Sequence, residues 1–563
     1  MITKSIKNYL LAGSVCCGFA TALVSCNDFL DIQPTNEIVL ENFWTEKADV
    51  TSVMMSCYET LASSDALLRM SVWGELRSEN IVAGSNISNS LNEILKENLL
   101  PTNEFCNWTR FYEAINRCNI VCRYAPDVQA IDPNYTEADM KANVAEAVTL
   151  RALAYFYLIR TFRDVPYVTE PSIDDTQNYI VAATPFNEVL DKLIADLESV
   201  KNDAVRRYYV EESYNAYVNS SRVTRWTIYA LLADLYLWKG DWDNAIKYCN
   251  LVIDYKKQLY EEMLQREGTV NNIALIDSIP MILEMPVGST TAGNTYNELF
   301  VDGNSFESIF ELYYKTNQAN GLANGYYSLN GNLLGRFAAP DELFKGIVEG
   351  EKTDGIFKPS DGRCVESVRY TGTRFAITKY TLDYISYQYQ TNKMTGYNNS
   401  SRVGIPTRAN WIIYRLSDML LIKAEALVER NQPGDLEMAF RLVDVVNRRA
   451  NNTGSGSSRL NKSDYVDTQK AMESLVLEER HREFIFEGKR WYDLVRFARR
   501  EGNNSRLSEL CTRKLKEGKN VIKIKLANPD IIYFPYSKNE LKVNPLLHQN
   551  PAFSNGEDNE VAR

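Results

Sequence analysis

Four stretches of the chain repeat their apolar residues with helical period. In "RALAYFYLIRTFRDVP" (151–166) the apolar residues run nearly all the way round, which predicts a helix buried on most sides and ended by Pro166. In "RWTIYALLADLYLWKGDWDNAIKYCNLVIDY" (225–255), Ile228, Leu231, Leu232 and Leu235 form one stripe, and Ala245, Ile246, Cys249, Val252 and Ile253 a second. Between the stripes, Gly240 stands where a helix-closing glycine is expected and Asp241 where an N-cap is. The segment 414–450 has the same grammar, with Leu420, Leu421, Ala424 and Leu427, then Ala439, Leu442, Val443 and Val446, around Pro433-Gly434-Asp435. The fourth stretch, 483–500, predicts one helix with Trp491, Leu494, Val495 and Ala498 on one face and Lys489, Asp493, Arg496 and Arg500 mostly on others.

"GDWDNA" (240–245) and "GDLEMA" (434–439) align as Gly-Asp-apolar-x-x-Ala. The glycine closes a helix, the aspartate caps the next, and the alanine lets the two helices approach. These two copies resemble the antiparallel pair of the tetratricopeptide repeat, about 34 residues long, interrupted here by other material. From about 282 to 410 the periodicity fades, and Gly, Asn, Ser, Thr and Tyr accumulate, eleven tyrosines falling between Tyr296 and Tyr397. Short strands and long ordered loops are expected there, and such loops commonly carry function. The predicted fold is therefore mainly α: a helical-repeat scaffold with an inserted loop-rich lobe containing short strands. "NNTGSGSSRLNKSD" after Ala450 reads as a flexible linker.

The N-terminus changes the picture of where this body works. Lys4 and Lys7 precede a mostly apolar run from Leu10 to Val24, broken by Gly13, Ser14 and Gly18, a pattern of export signals more than of a bilayer span. A retained anchor helix is the alternative. Leu23-Val24-Ser25-Cys26 resembles a bacterial lipobox, in which the cysteine is acylated and becomes the first residue of the mature chain. Acyl chains contribute about 0.8 kcal/mol per buried CH₂, so multiple acylation at Cys26 gives a lasting anchor.

With Lys+Arg 62 against Asp+Glu 73, the net charge of −11 argues against nucleic acid as a partner. Removing the signal and Cys26 leaves seven of ten cysteines, an odd number that suits buried thiols better than a disulfide framework. His481 and His548 are the only histidines, too few for a structural zinc site with Cys118 and Cys122 or for a histidine-based nucleophile relay. No hydrolase, metalloprotease or phosphate-loop motif is present. No catalytic residue, metal or cofactor is assigned, although a glycosidase, needing only two carboxylates, is not excluded by motif. The Tyr- and Asn-rich middle offers what sugar recognition uses, ring faces for C–H surfaces and planar polar groups for hydroxyls. Of the eight tryptophans, Trp44, Trp73, Trp108, Trp226, Trp238, Trp242, Trp411 and Trp491, most sit on predicted helices and read as core. Trp73 is the exception, because "SVWGELRSENIVAGSN" reads as a helix leading into a polar loop.

"SCNDFLDIQPTNE", "NWTRFYEAINRCNIV" and "EAVTLRALAYFYLIRTFRDVPYV", then the 221–248 hairpin, "ESIFELYY", "IIYRLSDMLLIKAEAL", "EERHREFIFEGKRWYDLVRFA" and "YFPYSKNELKVNPLLHQNPAF", taken in this order, resemble the SusD/RagB lipoproteins of Bacteroidetes. The resemblance spans essentially the whole mature chain. It implies a signal peptide at 1–25, a SusD-like N-terminal helical part at 26–280, and a C-terminal part at 281–563 whose variable lobe is 281–410. It further implies a surface-exposed outer-membrane lipoprotein, not an enzyme, that binds glycan oligosaccharides and passes them to a SusC-like TonB-dependent transporter. The RagB branch makes peptide the alternative ligand. Carried onto this sequence, the family's aromatic arc and arginine suggest Trp73, Arg77, Asn86, Tyr296, Tyr326 and Tyr327 as ligand-binding residues, while the lack of tryptophan in the lobe departs from a starch-type arc.

Overall fold

The computed structural model describes residues 43–173, 179–208, 216–314, 319–328, 333–344, 355–390, 393–401, 408–451 and 459–554. The export segment, Cys26 and residues 452–458 of the predicted linker lie outside the described residues.

The helical body begins with α1 (Lys47–Leu61), α2 (Ser64–Ser71), α3 (Thr109–Ile131) and α4 (Glu137–Phe162). A capping box between Thr136 and Asp139 opens α4, and every residue from Ala145 to Phe162 is buried, as the all-round apolar pattern predicts. The helix ends at Phe162 rather than at Pro166, because Arg163 adopts a positive φ of 71°. Pro166 instead belongs to a short strand paired with Ala183–Thr184. After α5 (Phe186–Val200) come the two predicted hairpins, α6 (Arg225–Lys239) with α7 (Trp242–Glu267), and α8 (Leu416–Arg430) with α9 (Asp435–Ala450).

The hairpins share packing but not capping. Gly240 closes α6 in the left-handed conformation (φ 81°), and the Asp241 carboxylate accepts from the Asn244 N–H at 3.1 Å. In the second copy Asn431 (φ 48°) closes α8, Gly434 stands at the N-cap, and Asp435 is the first helical residue. The Asp435 carboxylate binds the Gln432 N–H and the Arg430 guanidinium at 2.8–2.9 Å. The longer Gln432-Pro433-Gly434 turn moves the aspartate one position into the helix. Ala245 and Ala439 are fully buried in both copies. Although far apart in sequence, the copies are neighbours in space, since α7 packs against α8.

The lobe leaves and re-enters the body through one antiparallel ladder. The strand Ser308–Leu312 pairs with Trp411–Arg415, which runs directly into α8. Within and beside the lobe, β1 (Val82–Ala83), β2 (Phe337–Ala339), β3 (Val368–Tyr370) and β4 (Phe375–Ile377) form an antiparallel sheet in the order β1-β2-β4-β3. A strand from the N-terminal part thus completes a sheet of the lobe.

The predicted helix at 483–500 is two helices, α10 (Gln469–Phe484) and α11 (Arg490–Glu501), broken by a turn in which Phe486 and Gly488 have φ of 65° and 70°. A Cβ on Gly74 would lie 1.8 Å from the Gly488 carbonyl oxygen, so this turn and the segment after α2 touch backbone to backbone. Asp493 and Arg496 of α11 also do not face water. Arg496 binds Glu425 at 2.6–2.8 Å and Asp493 binds Arg480 at 2.8–3.0 Å, all four buried.

Candidate ligand surface at the sheet rim

Backbone pairing across β1 and β2 draws the candidate surface together. The Gly84 and Ser85 N–H groups donate to the Arg336 and Gly335 carbonyls, both at 2.8 Å, and the Phe337 N–H donates to the Tyr326 carbonyl at 2.8 Å. Gly335 is needed for this approach, since a Cβ there would lie 1.5 Å from the Tyr327 carbonyl oxygen. The guanidinium of Arg336 lies over the Tyr326 ring, 5.0 Å from its centroid. Arg374, on the loop between β3 and β4, donates to the Ala83 carbonyl at 2.6 Å. Asn86 follows β1 with φ 53°, a left-handed conformation that Asn tolerates well, and its side chain is exposed. Tyr370, 41% exposed, packs on Phe375 at the sheet's other edge. A cavity of about 260 Å³ opens next to β1, lined among others by Ala83, Pro340, Asp341, Arg374 and Lys516. Ring faces, two guanidinium groups and an exposed amide thus share one rim.

Of the six ligand residues expected from sequence, Asn86 and Tyr326 lie at this rim. The other four are corrected from surface to interior. Trp73 has no exposed surface; its Nε1 donates to the Phe105 carbonyl at 2.9 Å and its ring packs on Phe111 and Phe162. Arg77 is 1% exposed, paired with Glu97, donating to the Ile531 and Ile532 carbonyls, and stacked over Trp491. Tyr296 and Tyr327 are fully buried, with hydroxyls donating to the carbonyls of Thr378 (3.0 Å) and Phe486 (2.7 Å). The cause is local. After α2 the chain continues through a π-helical turn at Val72–Leu76, and the polar run Arg77-Ser78-Glu79-Asn80 is buried rather than a loop in water.

Those buried polar groups grip the α10–α11 turn. Glu75 accepts from the Phe486 and Lys489 N–H groups at 2.9 and 3.2 Å, and burial raises its pKa to about 7. Glu79 pairs with Arg490 at 2.6 Å; burial alone would raise its pKa, but Arg490 outweighs that and holds it at about 2. Lys379, from the lobe, donates to the carbonyls of Glu483 and Ile485 at 3.1 Å and to the Glu487 carboxylate at 2.7 Å. Glu483 is shared by Arg363, Arg415 and Arg449. Burial pushes Glu487 up, yet Arg415 and then Lys379 hold it at about 2.

Among the described residues no group of three or more His, Cys, Asp or Glu is placed to hold a metal ion, and no helix is long and apolar enough to cross a membrane. One buried carboxylate pair, Glu284 and Glu366, is bridged by the Tyr387 hydroxyl at 2.6 and 2.9 Å. The cavity beside it is about 20 Å³, far too small for a sugar ring. Sequence reasoning missed Arg336, Arg374 and Tyr370. Their signal was weak but present, in "GRFAAP" and "YTGTRF", where Arg and Tyr flank glycines in a region of strand-like residues.

Residues 287–553 match the SusD family, and residues 28–237 match a family described as starch-binding associating with outer membrane. The SusD-like protein P38 of Formosa agariphila is 25% identical, covering 84% of this chain and 88% of the relative. A SusD-like protein of Bacteroides ovatus is 22% identical over 85% of this chain and 81% of its own length. Among solved structures, a SusD superfamily protein from Bacteroides thetaiotaomicron has the same fold, with a TM-score of 0.65 and 19% identity, covering 91% of this chain and 99% of the other. Two successive matches of one kind, relatives along most of the chain and a shared fold agree: the chain belongs to the SusD/RagB family.

Proposed function

We propose that this protein is a surface-exposed outer-membrane lipoprotein, exported by residues 1–25 and acylated at Cys26, that binds glycan oligosaccharides and passes them to a SusC-like TonB-dependent transporter. Family membership supports a binding protein associated with the outer membrane, not an enzyme. The observation that carries the glycan reading is the rim where Asn86, Tyr326, Arg336 and Arg374 come together. Sugar rings stack their C–H faces on an aromatic ring, and guanidinium and amide groups hydrogen-bond to vicinal hydroxyls in a planar, paired geometry. Arg336 held over Tyr326 presents both kinds of group with little rotamer freedom left to lose on binding. The N-terminal and C-terminal parts, 26–280 and 281–563, both contribute to the rim.

The test is a glycan microarray probed with the full chain, alongside an oligopeptide library. Binding to a set of related glycans, lost in a Tyr326→Ala/Arg336→Ala variant, is expected; capture of oligopeptides with no glycan bound would replace the glycan by a peptide. For the anchor, Cys26→Ala is expected to leave an unprocessed or mislocalised precursor, read by surface proteolysis and immunoblotting of outer-membrane fractions. Normal surface display of that variant would contradict the lipid anchor.

A further inference from the structure

A second cavity, of about 480 Å³, shares no lining residue with the cavity at the sheet rim. It lies between the first three turns of α3, residues 166–172 with 179 and 181 after α4, and α12 (Lys538–Val543) near the C-terminus. The volume is within the range of small-molecule sites.

Most of its polar side chains are already committed to building its walls. The Asn116 carboxamide accepts from the Ser172 N–H at 2.6 Å and donates to the Ser172 carbonyl at 3.0 Å. Asn119 donates to the carbonyls of Val168 and Glu170, both at 3.2 Å. The Tyr112 hydroxyl donates to the Pro166 carbonyl at 2.7 Å, and Asn544 donates to the Val181 carbonyl at 2.8 Å. These bonds fix the segment after α4 against α3 and α12, so the cavity is held open by its own framework.

The charges that remain are of one sign. Glu113, Glu170 and Glu540 line the cavity, and among the described residues no Lys, Arg or His does. Glu113 is neutralised by Arg110 and Arg117, each at 2.7 Å. Glu170 and Glu540 have no ion pair among the described residues, and Lys538 and Lys542 on α12 are not among the lining groups. Glu540 is half-buried, and burial raises its pKa, a cost that a cation placed beside it would remove. Around these two carboxylates stand apolar and aromatic surfaces: the rings of Trp108 and Tyr112, which meet edge to face 5.4 Å apart, and Val543, 70% exposed. Carboxylates set among ring faces recognise a positive charge carried on an apolar or ring-shaped stem, through charge-assisted hydrogen bonds and attraction to the ring quadrupole. A neutral polyol finds fewer partners here, because Tyr112, Asn116, Asn119 and Asn544 are already bonded within the protein.

We propose that this cavity is a second binding site, for a ligand bearing a protonated amine on a compact stem, whether an amino sugar or the amine of a peptide. It stands independently of the glycan reading of the sheet rim, because the two sites use different side chains.

The test is titration calorimetry on the full chain in detergent with two matched pairs of probes: glucosamine trimer against its N-acetylated form, and a lysine tripeptide against the same peptide acetylated at every amine. At least one amine-bearing probe is expected to bind, with its acetylated partner at least tenfold weaker. The pair that binds identifies the source of the amine. Glu540→Gln, which keeps the side chain's size and removes its charge, is expected to weaken binding at least tenfold and Glu170→Gln several-fold. Filling the cavity with Val543→Trp should abolish binding, whereas Arg336→Ala at the sheet rim should leave it unchanged. Equal binding of amines and acetylated partners, no binding of either amine at millimolar concentration, or indifference to both Glu540→Gln and Val543→Trp would overturn the proposal. Glycan binding that survives Glu540→Gln but fails in the Arg336→Ala variant would keep the fate of the rim reading separate.

Discussion

The turn between α10 and α11 and the rim of the β1-β2-β4-β3 sheet are both rich in arginine, aromatic rings and polar side chains, yet they put them to opposite uses. At the turn, Glu483, Glu487, Arg415, Lys379 and Arg449 are nearly without exposed surface, and each charge meets partners from distant parts of the chain. At the rim, Arg336 and Arg374 are exposed, and Lys516 pairs with Asp341 at 3.4 Å with both side chains reaching solvent. A buried charge with saturated partners fixes the lobe to the helical body. An exposed guanidinium held over a ring retains donors for something outside the protein. Residue type alone does not separate these roles; satisfaction of the hydrogen-bonding groups does.

The largest break is expected at the turn. Glu483→Ala leaves Arg363, Arg415 and Arg449 facing one another without their shared carboxylate. Removing one member of a buried ion pair costs about 3–5 kcal/mol, so the denaturation midpoint should fall accordingly, or the lobe should become protease-sensitive. A variant as stable as the native chain would show that the turn does not hold the lobe.

Acid should act on the same region next. Glu79 and Glu487 titrate at about 2 in the fold, against about 4.3 in an unfolded chain. Between these values the unfolded state binds more protons, so their contribution is complete above about pH 5 and is lost as pH falls toward 2. Each contributes on the order of 3 kcal/mol. Glu75 has the opposite sign: with its pKa raised to about 7, it favours folding at low pH and loses that contribution as pH rises from about 4.3 through 7. Urea midpoints between pH 3 and 8 should therefore fall steeply on the acid side and gently on the neutral side. A flat acid limb would contradict the buried pairs.

Trp73→Phe sharpens the comparison from the other side. It removes the hydrogen bond to Phe105 and part of a fully buried ring, for a cost of about 1–3 kcal/mol, and the folded fraction should bind ligand as the native chain does. Arg336→Ala should do the reverse, moving stability by about 0.5 kcal/mol or less while weakening ligand binding about tenfold. Thermal melts and titrations on both variants separate the two roles.

The helical scaffold was legible because its signals are local. The stripes of α6 to α9, the left-handed Gly240 and the buried Ala245 and Ala439 follow from residues a few positions apart. The break at 485–489 was not legible, because an apolar stripe running through "EFIFEGKRW" continues to look helical. What bends it is Glu75, about 410 residues upstream, accepting its N–H groups. For the same reason "RSEN" (77–80) reads as a loop: polarity predicts solvent unless the partner is known, and the partners of Arg77 and Glu79 include Glu97, Ile532 and Arg490. Asn86 and Tyr326 could be proposed from the family resemblance, but Arg336 and Arg374 join them only through strand pairing across 250 residues of sequence.

The most direct test of the central claim, that ligand is caught at the sheet rim and not by the buried aromatic residues, is one calorimetric comparison. The glycan selected on the array is titrated into the native chain, Trp73→Phe and Tyr326→Ala/Arg336→Ala, each shown folded by circular dichroism. Native affinity in Trp73→Phe with at least a tenfold loss in the rim variant is the predicted result; native affinity in the rim variant would contradict it.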